Sequence, residues 1–142
     1  MSNEYEQPVP QGKYLPAVRH GDLIFTSGMT PRRAGILIYE GKIKVEDPIE
    51  SHRDAVNIAA TNTINAAQNL LHEDERISQI LQLNVFLNTE EGFSKHSKIA
   101  DFASEIFIKK LGPNCIGSRA AIGVSSLPAN APVEITIICT AG

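Results

Sequence analysis

One arginine and one glutamate carry most of the chemistry that this chain offers. Arg119 opens the stretch SRAAIGVSSLPANAPVEITIICTAG, in which two apolar runs flank a turn. Read as a strand over 118–126, its side chains alternate between the two faces of a sheet. Arg119 then shares a face with Ala121, Gly123 and Ser125, while Ala120, Ile122 and Val124 point the other way. A guanidinium above three such small residues predicts a hollow. It brings a planar fork of N–H donors that stays charged, suited to gripping a carboxylate with two parallel bonds. On the returning run, 133–140, Val133, Ile135, Ile137 and Cys139 alternate with Glu134, Thr136, Ile138 and Thr140. Read as neighbours, the two strands each carry one charge of opposite sign. Two readings follow: a structural one, in which the two charges pair across a hairpin or each reaches solvent at an edge, and a ligand site in which Arg119 anchors a carboxylate.

These residues need a scaffold, and the patterning supplies one. Short apolar runs at 14–19 and 23–27 flank His20–Gly21–Asp22 and predict a hairpin, with a second around Glu40–Gly41 joining 36–39 to 42–44. Asp47, Pro48 and Glu50 have the spacing of a cap, a first helical residue and a capping-box partner. From there an alanine-rich stripe through Val56, Ala59, Ala60, Thr63, Ala66 and Ala67 predicts a helix that ends near His72 and lies close against a sheet. Leu81, Leu83, Val85 and Leu87 alternate with Gln82, Asn84 and Phe86 as a strand, and 93–111 reads as a second helix stopped by Gly112–Pro113. The order is β-β-(β-β)-α-β-α-β-β, an α+β domain. Two helices cover only one face of such a sheet. The other face would carry Gln82, Asn84, Phe86, Glu134, Thr136 and Ile138, too apolar for plain solvent surface, and so predicts an interface between subunits.

Composition narrows the function. With 142 residues and 42% hydrophobic content the chain is sized for one core, read as an N-terminal extension over 1–13 and a single domain over 14–142. The net charge of −3, with Arg32–Arg33 and Lys109–Lys110 as the only adjacent basic pairs, is a poor footprint for nucleic acid. No apolar run reaches the roughly 20 residues of a membrane span, and MSNEYEQPVPQGKY lacks the pattern of a signal peptide. Cys115 and Cys139 have neither metal-ligand nor redox spacing, and no partner residue activates Cys115 as a nucleophile. His20, His52, His72 and His96 read as surface or turn residues with no metal-binding spacing. A soluble protein of a reducing cytoplasm, without metal, membrane or nucleic-acid partner, is the expectation.

Three segments carry a further signal. GKYLPAVRHGDLIFTSGMTP, VFLNTEEGF and SRAAIGVSSLPANAPVEI resemble, in order and spacing, the signature regions of the Rid/YjgF family of reactive-intermediate deaminases, also called the endoribonuclease L-PSP family. The resemblance spans about 14–139. It implies a chorismate-mutase-like fold of the Bacillus type, a homotrimer whose sheets form a central barrel, and ligand clefts between subunits. It implies hydrolysis of 2-imino or enamine acids to 2-oxo acids and ammonia, with no cofactor. It assigns the substrate carboxylate to Arg119, the hydrolytic water to Glu134, and the cleft wall to Tyr14, Ser27 and Ala121. Met29, Ala121 and Gly123 depart from the family's usual glutamine, cysteine and glutamate, and Ser97 stands where an asparagine often faces the ligand. A small-carboxylate sensor or carrier without turnover is the alternative; a ribonuclease is disfavoured by the acidic balance.

Overall fold

Alternating apolar residues make the central strands and alanine-rich stripes make the helices that cover them, as a computed structural model of residues 6–142 describes. The chain runs β1 (Ala17–His20), β2 (Leu23–Thr26), β3 (Arg32–Arg33), β4 (Ile36–Leu37), α1 (Arg53–Gln68), β5 (Ile77–Asn88), α2 (His96–Leu111), β6 (Ser118–Val124) and β7 (Val133–Ala141). Five strands form one mixed sheet in the order β1-β2-β7-β5-β6, antiparallel except for the β5–β6 pair. The class is α+β, with the element order expected.

The core lies between one sheet face and the two helices. Leu83, Val85 and Leu87 of β5 and Val133, Ile135, Ile137 and Cys139 of β7 are buried there. Ala55, Ala59, Ala60, Ala66 and Ala67 of α1 are buried above them, and their small side chains let the helix lie close to the strands. Each fully buried isoleucine, such as Ile135 or Ile137, contributes about 2 kcal/mol by leaving water.

Four local expectations change. The second hairpin lies earlier, pairing Arg32 with Leu37 and Arg33 with Ile36 around Ala34 and Gly35, both at positive φ. Ala34 at φ 52° gives no turn signal in sequence, since a side chain is disfavoured there. The first helix opens with a 3-10 turn at Ile49–His52 rather than a capped α-turn. Asp47 instead accepts from Lys44 N at 2.8 Å, and Glu50 is held by Arg53 at 2.7 Å. In β5 the register shifts between Ile77 and Gln79 and between Ile80 and Gln82, so Ile80 is buried and Leu81 is exposed. The second helix starts at His96, with Phe93 buried just before it, and ends as expected at Gly112, which takes φ 99°.

Candidate functional site

β6 and β7 are not neighbours, because β5 lies between them. The parallel register pairs Leu83 with Arg119, Val85 with Ala121 and Leu87 with Gly123, which puts the arginine row on the helix-covered face. The antiparallel register pairs Phe86 with Glu134, on the uncovered face. Within one chain, then, Arg119 and Glu134 point to opposite sides of the sheet. A hairpin ion pair between them is excluded, and so is a cleft that one chain closes around both.

Arg119 is fastened by α2 instead. Its Nη1 donates to Asp101 Oδ1 at 2.7 Å and Ser104 Oγ at 3.0 Å; its Nη2 donates to Ser97 Oγ at 2.8 Å and Ser97 O at 3.4 Å. Ser97, Asp101 and Ser104 stand at i, i+4 and i+7, one stripe of the helix. That spacing was available in the sequence as one polar stripe beside the apolar face of the helix. The side chain of Arg119 keeps 23% of its surface exposed, and it lines a cavity of about 180 Å³ with Ile80, Leu83, Ser104, Ile116, Gly117 and Ser118.

The row of small residues is not an open hollow. Ala121 packs against the core, and Gly123 accommodates His96: a Cβ on Gly123 would lie 2.4 Å from His96 Nε2 and 3.1 Å from Thr89 Oγ1. Small residues are needed on β6 because the start of α2 approaches it closely. His96 is thus half-buried and meets Phe93 edge-on with ring centroids 5.1 Å apart, rather than lying on the surface as its place in the sequence predicts.

The other expected residues gather away from Arg119, around Gly28 just after β2. Glu134 is half-buried, and burial pushes its carboxyl above the usual range. It lies on the backbone of Gly28, where a Cβ would meet its Oε2 at 2.4 Å. Met29 fixes that segment by exchanging backbone bonds with Ile135 at 2.8 and 2.9 Å. Just before it, Ser27 donates its hydroxyl to Leu15 O at 2.6 Å, and its amide bonds Pro16 O. Tyr14, Gly28 and Met29 line one small pocket, and Tyr14 is exposed with its hydroxyl accepting from Gln11 N. Tyr14, Ser27 and Glu134 therefore belong to one region, and Arg119 and Ala121 to another.

Both cysteines are buried. Burial raises the Cys115 thiol and pushes Cys139 up to about 12, so neither supplies a thiolate near neutral pH. Among the described residues, no helix is long and apolar enough to cross a membrane.

The uncovered face is continuous. Phe25 pairs with Ile138 and Val18 with Phe25, extending the expected set to the β1 edge, and Ile122 extends it to the β6 edge. Val18, Phe25 and Ile122 are exposed. Its polar residues bond one another: Ser118 Oγ donates to Gln82 Oε1 at 2.8 Å, Gln82 Nε2 to Asn84 Oδ1 at 2.9 Å, and Asn84 Nδ2 to Thr136 Oγ1 at 3.1 Å.

Comparison with known proteins places this architecture. The family model described as Endoribonuclease L-PSP matches residues 4–141. Protein TCP17 of Trypanosoma cruzi is 27% identical over 128 residues, covering 89% of this chain and 79% of that protein. A crystal structure from Shewanella oneidensis, described as a candidate endoribonuclease, superposes with a TM-score of 0.85 at 26% identity, over 95% of this chain and 89% of that one. The YjgF gene product of E. coli shares the fold, with a TM-score of 0.67 at 20% identity over 94% and 92% of the two chains.

Proposed function

The chain belongs to the endoribonuclease L-PSP family, and from that membership and the placement of Arg119 we propose that it binds small 2-imino and 2-oxo acids and hydrolyses the imines. The observation that carries this reading is a guanidinium fixed by three groups of α2 yet still partly exposed on an edge strand. Such a group is oriented before a ligand arrives, so little ordering cost remains for binding.

Since one chain sets Arg119 and Glu134 on opposite faces, the reacting pair comes from two copies. We assign the uncovered face to the contacts of a homotrimer in which the sheets surround a central barrel. The exposed Val18, Phe25 and Ile122 support this, as does the polar ladder, whose side chains already bond one another and so lose fewer partners when covered. Arg119 of one copy then holds the substrate carboxylate beside Glu134 of the next. Arg119 draws electron density from the C=N carbon, and water held by Glu134 adds to it. The carbon–oxygen bond forms as the C=N π pair moves to nitrogen; proton transfer to nitrogen and collapse expel ammonia and leave the 2-oxo acid. Imines are reactive enough for positioning to supply much of the acceleration.

The separation of the two residues also favours a second reading, a carboxylate sensor or carrier, because binding at Arg119 alone does not require Glu134. Turnover decides between them. An amino-acid oxidase generates the imine in situ and semicarbazide traps what persists. The wild type should lower the trapped fraction, and Arg119→Ala should not. Carboxylate binding without consumption of any imine from a broad amino-acid panel selects the sensor.

A further inference from the structure

Arg119 already holds a carboxylate, that of Asp101. Its four terminal N–H groups are engaged: two by Asp101 Oδ1 and Ser104 Oγ on Nη1, two by the hydroxyl and carbonyl of Ser97 on Nη2. A bidentate grip needs two adjacent N–H groups. An end-on approach across Nη1 and Nη2 must displace Asp101 or Ser104 as well as a Ser97 contact. A side-on approach across Nε and Nη2 must displace Ser97 and leaves the ligand's charge facing Asp101 across one guanidinium.

Asp101 is suited to being replaced. Within one chain its side chain is 59% exposed, whereas that of Arg119 is 23% exposed. Exposed ion pairs of this kind are weak, since solvent screens them and ordering the side chain offsets much of the attraction. Turning Asp101 outward leaves Ser104 and Ser97 to hold the arginine. Its charge nonetheless stays on α2, between the turns that carry Ser97 and Ser104.

We propose that Asp101 is a specificity residue: it is the chain's own carboxylate on Arg119, displaced by an incoming monocarboxylate, and its charge turns away dicarboxylates. This rests on the reading of Arg119 as a carboxylate site and narrows its ligands to acids with one negative charge. A residue that merely positioned Arg119 would behave in the opposite way, because its removal would loosen the fork and weaken binding.

Calorimetry on the full chain separates these outcomes, with 2-oxobutyrate and 2-oxoglutarate as probes. Asp101→Asn should bind 2-oxobutyrate about threefold to tenfold more tightly than the wild type, the range set by losing one exposed competing pair. The wild type's preference for 2-oxobutyrate over 2-oxoglutarate should shrink in the same variant. If the wild type binds 2-oxobutyrate and Asp101→Asn binds it equally or more weakly, the proposal is overturned and the carboxylate site stands. If neither protein binds either acid, both readings fall. Asp101→Ser, which also removes the charge, gives the same readout should the asparagine variant melt early.

Discussion

At the scale of single residues, the consequential contact is Glu134 lying against Gly28. A methyl group at position 28 would sit 2.4 Å from the carboxylate and 2.9 Å from its Cγ, so the side chain must swing aside. Gly28→Ala should therefore lower imine turnover about a hundredfold, the scale of a misplaced general base, while binding at Arg119 persists. Paired turnover and calorimetric measurements check this; equal losses in both would mean that the whole region had moved. Arg119→Lys should keep the fold and lose most affinity for 2-oxobutyrate, since a point ammonium cannot reproduce a planar fork. Unchanged binding in that variant would return Arg119 to a structural ion pair with Asp101.

At the scale of elements, two junctions hold the sheet in place. The backbone at Gly117, just before β6, passes so close to β5 that an added Cβ would lie 1.8 Å from the Ile80 carbonyl oxygen. Backbone atoms of a central strand cannot yield, so Gly117→Ala should cost about 3 kcal/mol, read as a lower urea midpoint. At the opposite edge, Arg19 of β1 reaches Glu75 at 2.5 and 2.9 Å and the Leu70 carbonyl at 3.1 Å, tying the hairpin to the segment after α1. The hydrogen bond from Arg19, then that from the His72 amide, holds the Glu75 carboxyl at about 2, below its unfolded value. A depressed carboxylate stabilises the fold above its unfolded pKa, and that contribution disappears as pH falls through about 2. Glu75→Gln should melt below the wild type at pH 7, and the gap should close towards pH 2. A gap independent of pH would show that the ion pair is not its cause.

At the scale of the whole molecule, a sheet with helices on one face leaves the other to be covered. Light scattering should report three times the 15.4 kDa chain, and Phe86→Glu, placing a charge in the middle of that face, should yield monomers. A shared site makes a sharper prediction. Arg119→Ala and Glu134→Gln should each be inactive alone, yet their mixture after dissociation and reassembly should regain about a quarter of wild-type activity by random assortment across head-to-tail interfaces. No recovery from a properly reassembled mixture would refute the two-copy site.

Much of this molecule was legible in its residues. Apolar alternation marked β5 and β7, alanine spacing marked α1, and Gly112–Pro113 marked the end of α2, because a strand or helix must keep its apolar positions on one side to be buried at all. The uncovered face was legible for the same reason. What the spacing of side chains along a strand could not say is which strands are neighbours. Adjacency is decided by long-range pairing, and β5 entering between β6 and β7 set Arg119 and Glu134 on opposite faces. The partners of Arg119 were equally hidden, although Ser97, Asp101 and Ser104 form a stripe, because only the packing of α2 over β6 determines what that stripe meets. Periodicity is local and so can be read from the chain; the meeting of one periodic element with another depends on the core they jointly close, and only the tertiary structure decides it.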